Sequence, residues 1–299
     1  MAEPALVAVD WGTSRLRAAL LDRAGQVLER SAADEGIMHV EAGRWAETLE
    51  RHVGGWLRQN PAMKVVMAGM IGSRNGWVEA PYASCPADWS EIAAKMTLVR
   101  RADGGEVWIA PGLCTRNQDG VPDVMRGEET LIAGTHVGDG VMITLGTHCK
   151  WATLKDGRVE TFASFMTGEF FAALKDHTIL GRLAENPEDN AGFVRGLTAA
   201  KRKGGLLHTA FQTRTSVLLG DMPGAQVDPF LSGLLIGSEI LGGLELTKPD
   251  DTLHLLASGP RGELYRQTLA AHGYKVIMHD PEHALIAGLA RLMHLRGMD

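Results

Sequence analysis

The sequence predicts an α/β protein of two lobes. A strand, a hairpin, a helix and a further strand follow one another in the first 70 residues, the order of an α/β layer arrangement. The hairpin recurs at a constant offset of 134 residues, and a chain of 299 residues is long enough for two lobes that each bury a core.

Residues 7–22, VAVDWGTSRLRAALLD, open with β-forming apolar residues that run into Asp10 and turn at Gly12-Thr13-Ser14. Leu16, Ala18 and Leu20 then alternate with Arg15, Arg17 and Ala19, the period of two that marks a strand with one buried face. Gly12 is expected to take the positive φ of a tight turn. The hydroxyls of Thr13 and Ser14 beside backbone N–H groups suit a phosphate chain, and Asp10 suits a Mg²⁺ ion or its waters. The alternative is an ordinary hairpin with a polar tip. The second copy, residues 141–156 (VMITLGTHCKWATLKD), matches Gly12-Thr13 with Gly146-Thr147, Ala18 with Ala152, Leu20 with Leu154 and Asp22 with Asp156. It has Thr144 where the first copy has Asp10. Two hairpins with one acidic site suggest a ligand gripped from two sides and a metal held by one.

Composition narrows the class. Hydrophobic residues at 45% and charged residues at 22% are the profile of a soluble globular chain, and a net charge of −6 offers no basic surface to nucleic acid. There is no low-complexity tract and no unbroken apolar segment of membrane-spanning length. The opening MAEPALVAVD lacks the basic-then-apolar layout of a signal peptide. Cys85, Cys114 and Cys149 are odd in number and form no CxxC, so they read as reduced thiols. A cytoplasmic protein with neither nucleic-acid nor membrane partner is expected; a homodimer is left open.

After the first hairpin, residues 34–37 read as a loop, and 41–59 have helical spacing with Trp45, Leu49, Val53 and Trp56 on one face. Asn60-Pro61 stops that helix. Residues 64–70, KVVMAGM, read as a buried strand, and residues 69–77, GMIGSRNGW, leave its carboxyl end, where α/β proteins place ligands. Ser73 and Asn75 suit sugar hydroxyls, and Arg74 suits a carboxylate or phosphate in a two-pronged grip. Gly72 and Trp77 complete this candidate substrate loop, whose alternative is a solvated glycine-rich connection.

Residues 105–111 resemble another short strand. Residues 120–130, GVPDVMRGEET, gather Asp123, Arg126, Glu128 and Glu129 between two glycine-bearing turns, ahead of a helical run at Leu131-Ile132-Ala133 that Gly134 interrupts. A carboxylate at a helix start serves as a cap or dipole partner, or as a general base drawing the proton from an attacking hydroxyl; Arg126 pairs with a carboxylate in either case. Residues 161–174 change from strand to helix near Thr167-Gly168-Glu169, and residues 176–246 are mostly helical. His177 and His208 lack metal-ligand spacing and read as structural. Residues 252–259 form a buried strand ending in Ser258-Gly259-Pro260; residues 265–271 fit the helix after it, and residues 275–278 a further strand. Pro281 opens a small-residue helix reaching Leu295. A strand-to-glycine turn beside such helices lets a nucleotide base lie against backbone.

Two Gly-Thr hairpins, a late strand ending in Ala257-Ser258-Gly259 and a closing Ala/Gly helix resemble the actin/hexokinase/Hsp70 ATPase superfamily. DWGTSRLRAALLD, MAGMIGSRNGW, PDVMRGEET and LGTHCKW, in that order, resemble the 2-dehydro-3-deoxygalactonokinase family over essentially the whole chain. The resemblance implies a two-lobed actin-like ATPase (ribonuclease H-like) fold, with duplicated domains of mixed sheets flanked by helices and an inter-lobe cleft. It implies an N-terminal lobe of residues 1–133, joined by the C-terminal helix 281–299, that carries the first phosphate hairpin and the sugar-binding loops. Residues 134–280 would form the C-terminal lobe, with the second hairpin and the adenosine site. The implied activity is a phosphotransferase with an alcohol acceptor, passing the ATP γ-phosphoryl group to O6 of 2-dehydro-3-deoxy-D-galactonate in galactonate catabolism. Its cofactors would be ATP and Mg²⁺, and its partners the sugar acid and ATP.

Carried over residue by residue, the resemblance assigns Gly12, Thr13, Ser14, Arg17, Gly146, Thr147 and His148 to the phosphates and Ser258, Gly259 and Pro260 to adenosine. Gly72, Ser73, Arg74, Asn75, Trp77 and Arg126 go to the sugar acid, and Asp10 to Mg²⁺ and catalysis. Sugar kinases of the superfamily place an aspartate base shortly before the second hairpin; here Gly127-Glu128-Glu129 stands there, with Asp123 a few residues earlier. Spacing favours Glu128 and residue type favours Asp123, with a lean to Asp123. Either Arg74 or Arg126 would clamp the substrate carboxylate. A kinase of another small sugar or sugar acid such as 2-dehydro-3-deoxygluconate, a non-kinase nucleotide-binding module of the same fold, and an exopolyphosphate-type phosphatase stay open.

Overall fold

The computed structural model of the chain describes residues 2–186 and 190–298. In chain order the elements begin with β1 (Pro4–Trp11), β2 (Leu16–Asp22), β3 (Val27–Ala33), α1 (Trp45–Gln59) and β4 (Lys64–Ala68). Then come β5 (Tyr82–Ser84), α2 (Trp89–Ala94), β6 (Thr97–Arg100), β7 (Glu106–Ile109), β8 (Gly112–Arg116), β9 (Pro122–Met125) and α3 (Glu128–Thr135). The second hairpin and its helices follow as β10 (Gly140–Thr144), β11 (Cys149–Lys155), β12 (Arg158–Phe165), α4 (Thr167–His177), α5 (Ala191–Ala200), α6 (Gly205–Leu218) and α7 (Val227–Leu244). The chain closes with β13 (Leu253–Leu256), α8 (Gly259–Ala271), β14 (Val276–His279) and α9 (Pro281–Leu295).

The sheets make the sequence repeat visible. One has six strands in the order β3-β2-β1-β4-β7-β6, another five in the order β12-β11-β10-β13-β14, and a third holds β5-β8-β9. Each large sheet starts with its hairpin strands in reversed order and continues with the next strands outward, the arrangement expected of a duplicated unit. By internal packing the chain divides into two compact units. The first comprises Met1–Met142, Ala152–Phe162 and His279–Asp299; the second comprises Ile143–Trp151 and Ala163–Met278.

In the first unit β1 pairs antiparallel with β2 and parallel with β4, and β4 runs parallel to β7. The carboxyl ends of β1, β4 and β7 therefore lie along one sheet edge, which sets the loops after Trp11, Ala68 and Ile109 side by side. Val7, Val9 and Trp11 project into a core with Trp45, Leu49, Val53 and Trp56 of α1, and the Trp11 ring meets Trp45 edge-on at 6.0 Å. The helix starts at Trp45 rather than at residue 41, because Gly43 takes φ +89°, outside helical backbone.

Gly134 does not interrupt α3. It marks the closest approach of that helix to α9: a Cβ on Gly134 would lie 1.8 Å from the Ala284 carbonyl oxygen, and one on Gly288 1.9 Å from the Thr130 carbonyl oxygen. Arg291 fastens the pair by donating to the Ala133 carbonyl at 2.7 Å. The start of α9 is set by Pro281 in its first turn and by Asp280, whose carboxylate accepts the His283 N–H at 2.8 Å.

In the second unit α7 is the core helix, with Leu231, Leu234, Leu235, Ile236 and Ile240 buried. Among the described residues it provides the one stretch, Gly224–Leu244, long and apolar enough to cross a membrane by length and composition, which the sequence reading did not single out. Its apolar character is used for packing against α4, α5 and α6.

Candidate active site

Asp10 lies near the end of β1, opposite Arg17 on β2 and Ala68 on β4. Its Oδ2 is 3.4 Å from Arg17 Nη1. Burial raises the carboxyl above its ordinary value of 3.8, an effect the Arg17 charge only partly offsets. The turn beyond it closes with the Gly12 N–H donating to the Arg15 carbonyl at 2.9 Å and leaves Thr13, Ser14 and Arg17 exposed.

Gly12 does not take the expected positive φ. The glycine that the turn depends on is Gly36: a Cβ there would sit 2.3 Å from both the Ser14 carbonyl carbon and the Thr13 carbonyl oxygen. The following N–H groups, of Ile37 and Met38, bind the Gly12 and Thr13 carbonyls at 3.0 and 3.1 Å. The Glu35 carbonyl accepts the Trp11 indole N–H at 2.8 Å, and the Glu35 carboxylate is held by Arg51 and His52, each at 2.5 Å. The loop after β3 is thus the seat of the first hairpin.

Gly69, directly after β4, adopts φ +96°, and a Cβ there would be 2.8 Å from the Trp11 carbonyl oxygen and 3.3 Å from Asp10 Oδ1. Gly127 packs against it in turn, its Cβ position 3.2 Å from the Gly69 Cα. This glycine contact brings the start of α3 beside Asp10. There Glu128 Oε2 accepts the Arg126 N–H at 3.1 Å and Glu129 Oε2 the Gly127 N–H at 2.6 Å, so both carboxylates fold back on the helix start. Glu129 is 1% exposed and also accepts the Thr130 hydroxyl at 2.9 Å. Burial, aided by repulsion from Glu128, pushes its carboxyl up to about 7. Asp123 lies in β9 opposite Thr115, and its carboxylate accepts the Val124 N–H at 2.7 Å.

Arg126 lies against the candidate substrate loop. Its Nη2 donates to the Ala80 carbonyl at 2.7 Å, its guanidinium stacks over Tyr82 at 4.4 Å, and Nη1 is 3.0 Å from the Cβ position of Gly72. Nε and Nη1 are buried without a hydrogen-bond partner, as is Ser73 Oγ in the same loop. Arg74 and Asn75 are exposed, and Trp77 packs on the first unit's core. The structure therefore brings Gly72, Ser73 and Arg126 together and turns Arg74 and Asn75 to solvent.

In the second unit Gly146, Thr147 and His148 form the exposed hairpin tip, supported by the start of α4. A Cβ on Gly168 would lie 2.6 Å from the Gly146 carbonyl oxygen, and the Glu169 N–H donates to the Thr147 carbonyl at 3.0 Å. His148 Nε2 meets Glu169 Oε2 at 2.5 Å. Ser258, Gly259 and Pro260 make an exposed turn into α8. Residues 36 and 168 escaped the sequence reading as site residues. The signal was there: each is the third residue after the third strand of its repeat.

Asp10 is the one assigned metal ligand, and the described residues contain no cluster of three or more His, Cys, Asp or Glu side chains suited to an ion. That fits Mg²⁺ held through one carboxylate, substrate phosphates and water. The ionised Asp10 carboxylate is the oxygen donor such an ion would need, and a bound cation would offset the burial that raises its pKa.

Repeated hairpins in sheets of the same strand order define an actin-like ATPase fold. The structure of the activator of 2-hydroxyisocaproyl-CoA dehydratase from Clostridium difficile, solved with bound ADPNP, matches it with a TM-score of 0.51 over 98% of this chain and 96% of that one. At 12% identity this is a likeness of fold alone. Residues 10–292 match the sequence profile of the 2-keto-3-deoxy-galactonokinase family, and the chain belongs to that family. It is similar to the 2-dehydro-3-deoxygalactonokinase of Escherichia coli (strain K12), with 34% identity over 291 residues, 96% of this chain and 97% of that protein. A crystal structure of a Sinorhizobium meliloti protein bearing the same family name matches with a TM-score of 0.87 at 35% identity, covering 97% of this chain and 96% of that one.

Proposed function

We propose that this protein transfers the γ-phosphoryl group of ATP to O6 of 2-dehydro-3-deoxy-D-galactonate. The observation that carries the reading is full-length kinship with the E. coli enzyme of that name. Phosphoryl transfer relies on positioning and on charge stabilisation more than on covalent chemistry, and the residues fit those tasks. The exposed N–H and hydroxyl donors of Thr13 and Ser14, with Gly12 closing the turn and Arg17 beside it, and the donors of Gly146, Thr147 and His148 bind the phosphates. Ser258, Gly259 and Pro260 receive adenosine. Mg²⁺, when bound at Asp10, supplies charge neutralisation at the phosphates.

For the sugar acid, the unpartnered donors of Arg126 and Ser73 favour Arg126 as the carboxylate ligand, since a buried guanidinium N–H without an acceptor is destabilising until a ligand fills it. Arg74 remains at the loop surface, with Asn75 for hydroxyl contacts. The knot of Asp10, Gly69 and Gly127 favours Glu128 over Asp123 as the base that takes the O6 proton. The reaction needs two small-molecule partners and suits a cytoplasmic protein.

The test is a coupled assay of ADP formation on the galactonate- and gluconate-derived keto-deoxy acids and on neutral hexoses. The expected result is preference for the galactonate-derived acid by at least roughly tenfold in kcat/KM, the lower end of what one altered substituent contact discriminates. ATP turnover indifferent to any acceptor would refute the proposal.

A further inference from the structure

Beneath the second hairpin lies a carboxylate to which the reaction gives no role. Glu239, in the middle of α7, is 3% exposed, and the partners that hold it are neutral. Its Oε1 accepts the Trp151 indole N–H at 3.0 Å; its Oε2 accepts the Tyr265 hydroxyl at 2.8 Å and, through a short bond, the Thr167 hydroxyl. A buried carboxylate is costly unless its lone pairs are filled, and three donors from three separate elements fill these.

Each donor comes from an element that follows, supports or contains residues assigned to the nucleotide above. Trp151 follows the hairpin tip on β11, and its ring is 2.4 Å from the Cβ position of Gly243, so only a glycine there admits the indole. Thr167 starts α4 next to Gly168, the residue pressed under Gly146 and Thr147. Tyr265 belongs to α8, whose first turn is Gly259-Pro260. Its hydroxyl also lies 3.9 Å from Cys149 Sγ, the first residue of β11. Burial and the Glu239 charge push that thiol up to about 12, so it stays protonated and adds a weak donor to the cluster.

We infer that Glu239 is a positioning residue that fixes the second phosphate hairpin against the adenosine turn, acting as common acceptor for one donor from each of β11, α4 and α8. This rests on the assignment of the hairpin and the turn to the nucleotide.

The experiment compares Thr167→Val, Tyr265→Phe, Glu239→Leu and Glu239→Gln with the wild type for the KM of ATP, the KM of the sugar acid, kcat, Tm and the Kd of ADPNP measured directly. Thr167→Val and Tyr265→Phe are expected to raise the ATP KM and the ADPNP Kd about threefold to tenfold, less than the full loss of one hydrogen bond to a charged acceptor because the effect reaches the nucleotide only through the hairpin. The sugar-acid KM should stay within about twofold of wild type, since Glu239 and its three donors all belong to the second unit and the candidate substrate loop to the first. Glu239→Leu should exceed both, and Glu239→Gln, which keeps an acceptor for the indole, should fall between it and wild type. Equal rises in both KM values, or a lower Tm with neither KM changed, would overturn the inference. If Glu239→Leu does not fold, Thr167→Val and Tyr265→Phe decide alone. Failure of the nucleotide assignment itself shows separately, as a wild-type protein that binds no ADPNP.

Discussion

Gly168 is seated so closely under Thr147 that a methyl group on it would lie 3.0 Å from the Thr147 Cα. Gly36 stands in the same relation to Ser14 in the first repeat, at 2.3 Å from its carbonyl carbon. A side chain at either position must lift the hairpin tip. Gly168→Ala is therefore expected to raise the ATP KM by about tenfold or more, with a loss of stability on the order of 1–3 kcal/mol from overpacking. Steady-state kinetics with ATP and sugar acid varied in turn checks this; a G168A enzyme with the wild-type ATP KM would remove the hairpin from nucleotide binding.

Asp10 takes up its proton at a higher pH than a free aspartate, because burial outweighs the attraction of Arg17. The ionised form is the one that serves a cation. Activity at limiting Mg²⁺ should therefore fall on acidification at a pH above the ordinary value of 3.8, and saturating Mg²⁺ should move that fall to lower pH. Asp10→Asn should lower kcat by at least about a hundredfold and abolish the Mg²⁺-dependent shift. Near-normal phosphorylation by the D10N enzyme would end the metal assignment.

Arg126 and Arg74 separate by substitution. Arg126→Lys keeps the charge and loses the fork, so the sugar-acid KM is expected to rise about tenfold or more while the ATP KM holds. Arg74→Ala, at an exposed position, should change it by less than about threefold. The reverse order of effects would transfer the carboxylate to Arg74.

The base assignment turns on kcat. Glu128→Gln should cost about two to four orders of magnitude in kcat with both KM values near wild type, and Asp123→Asn less than about tenfold. If Asp123→Asn gives the larger loss, the glycine contact beside Asp10 has been misread as a catalytic placement.

Glu129 ties stability to pH. Its carboxyl in the folded state titrates near 7, against 4.5 when free, so the native state holds the proton more tightly than the unfolded chain. That contribution is fully present below pH 4.5 and is lost as the pH rises to about 7; a shift of this size corresponds to about 3 kcal/mol. Glu129→Gln should leave Tm less sensitive to pH across that window and raise it at pH 8, as read by thermal denaturation. A pH dependence equal to that of wild type would assign the effect elsewhere.

Local chemistry made much of this molecule readable in one dimension. The recurrence of Gly-Thr at residues 146 and 147 announces the duplicated sheets, and the alternation of Leu16, Ala18 and Leu20 announces a strand, though not one buried on a single face: Ala19 and Leu21 are buried as well, because β2 is an interior strand. The spacing of Trp45, Leu49, Val53 and Trp56 announces the face of α1. The residues that escaped are those whose partners are distant along the chain. Gly36 and Gly168 answer to hairpin backbones more than 20 residues earlier, and Glu239 answers to donors on three other elements. Gly12 misled for the converse reason. A glycine at a turn suggests left-handed backbone, yet here the constraint is steric and falls on the loop beneath.

The contact of Gly288 with Thr130 and Gly134 has a consequence for biosynthesis. The helix that begins at Glu128 is braced by residues translated some 150 positions later, whereas the stretch from Ala163 to Met278 is already out in full by then. The nascent polypeptide can complete its second unit while the first still lacks a wall, so the helix start beside Asp10 acquires its setting last.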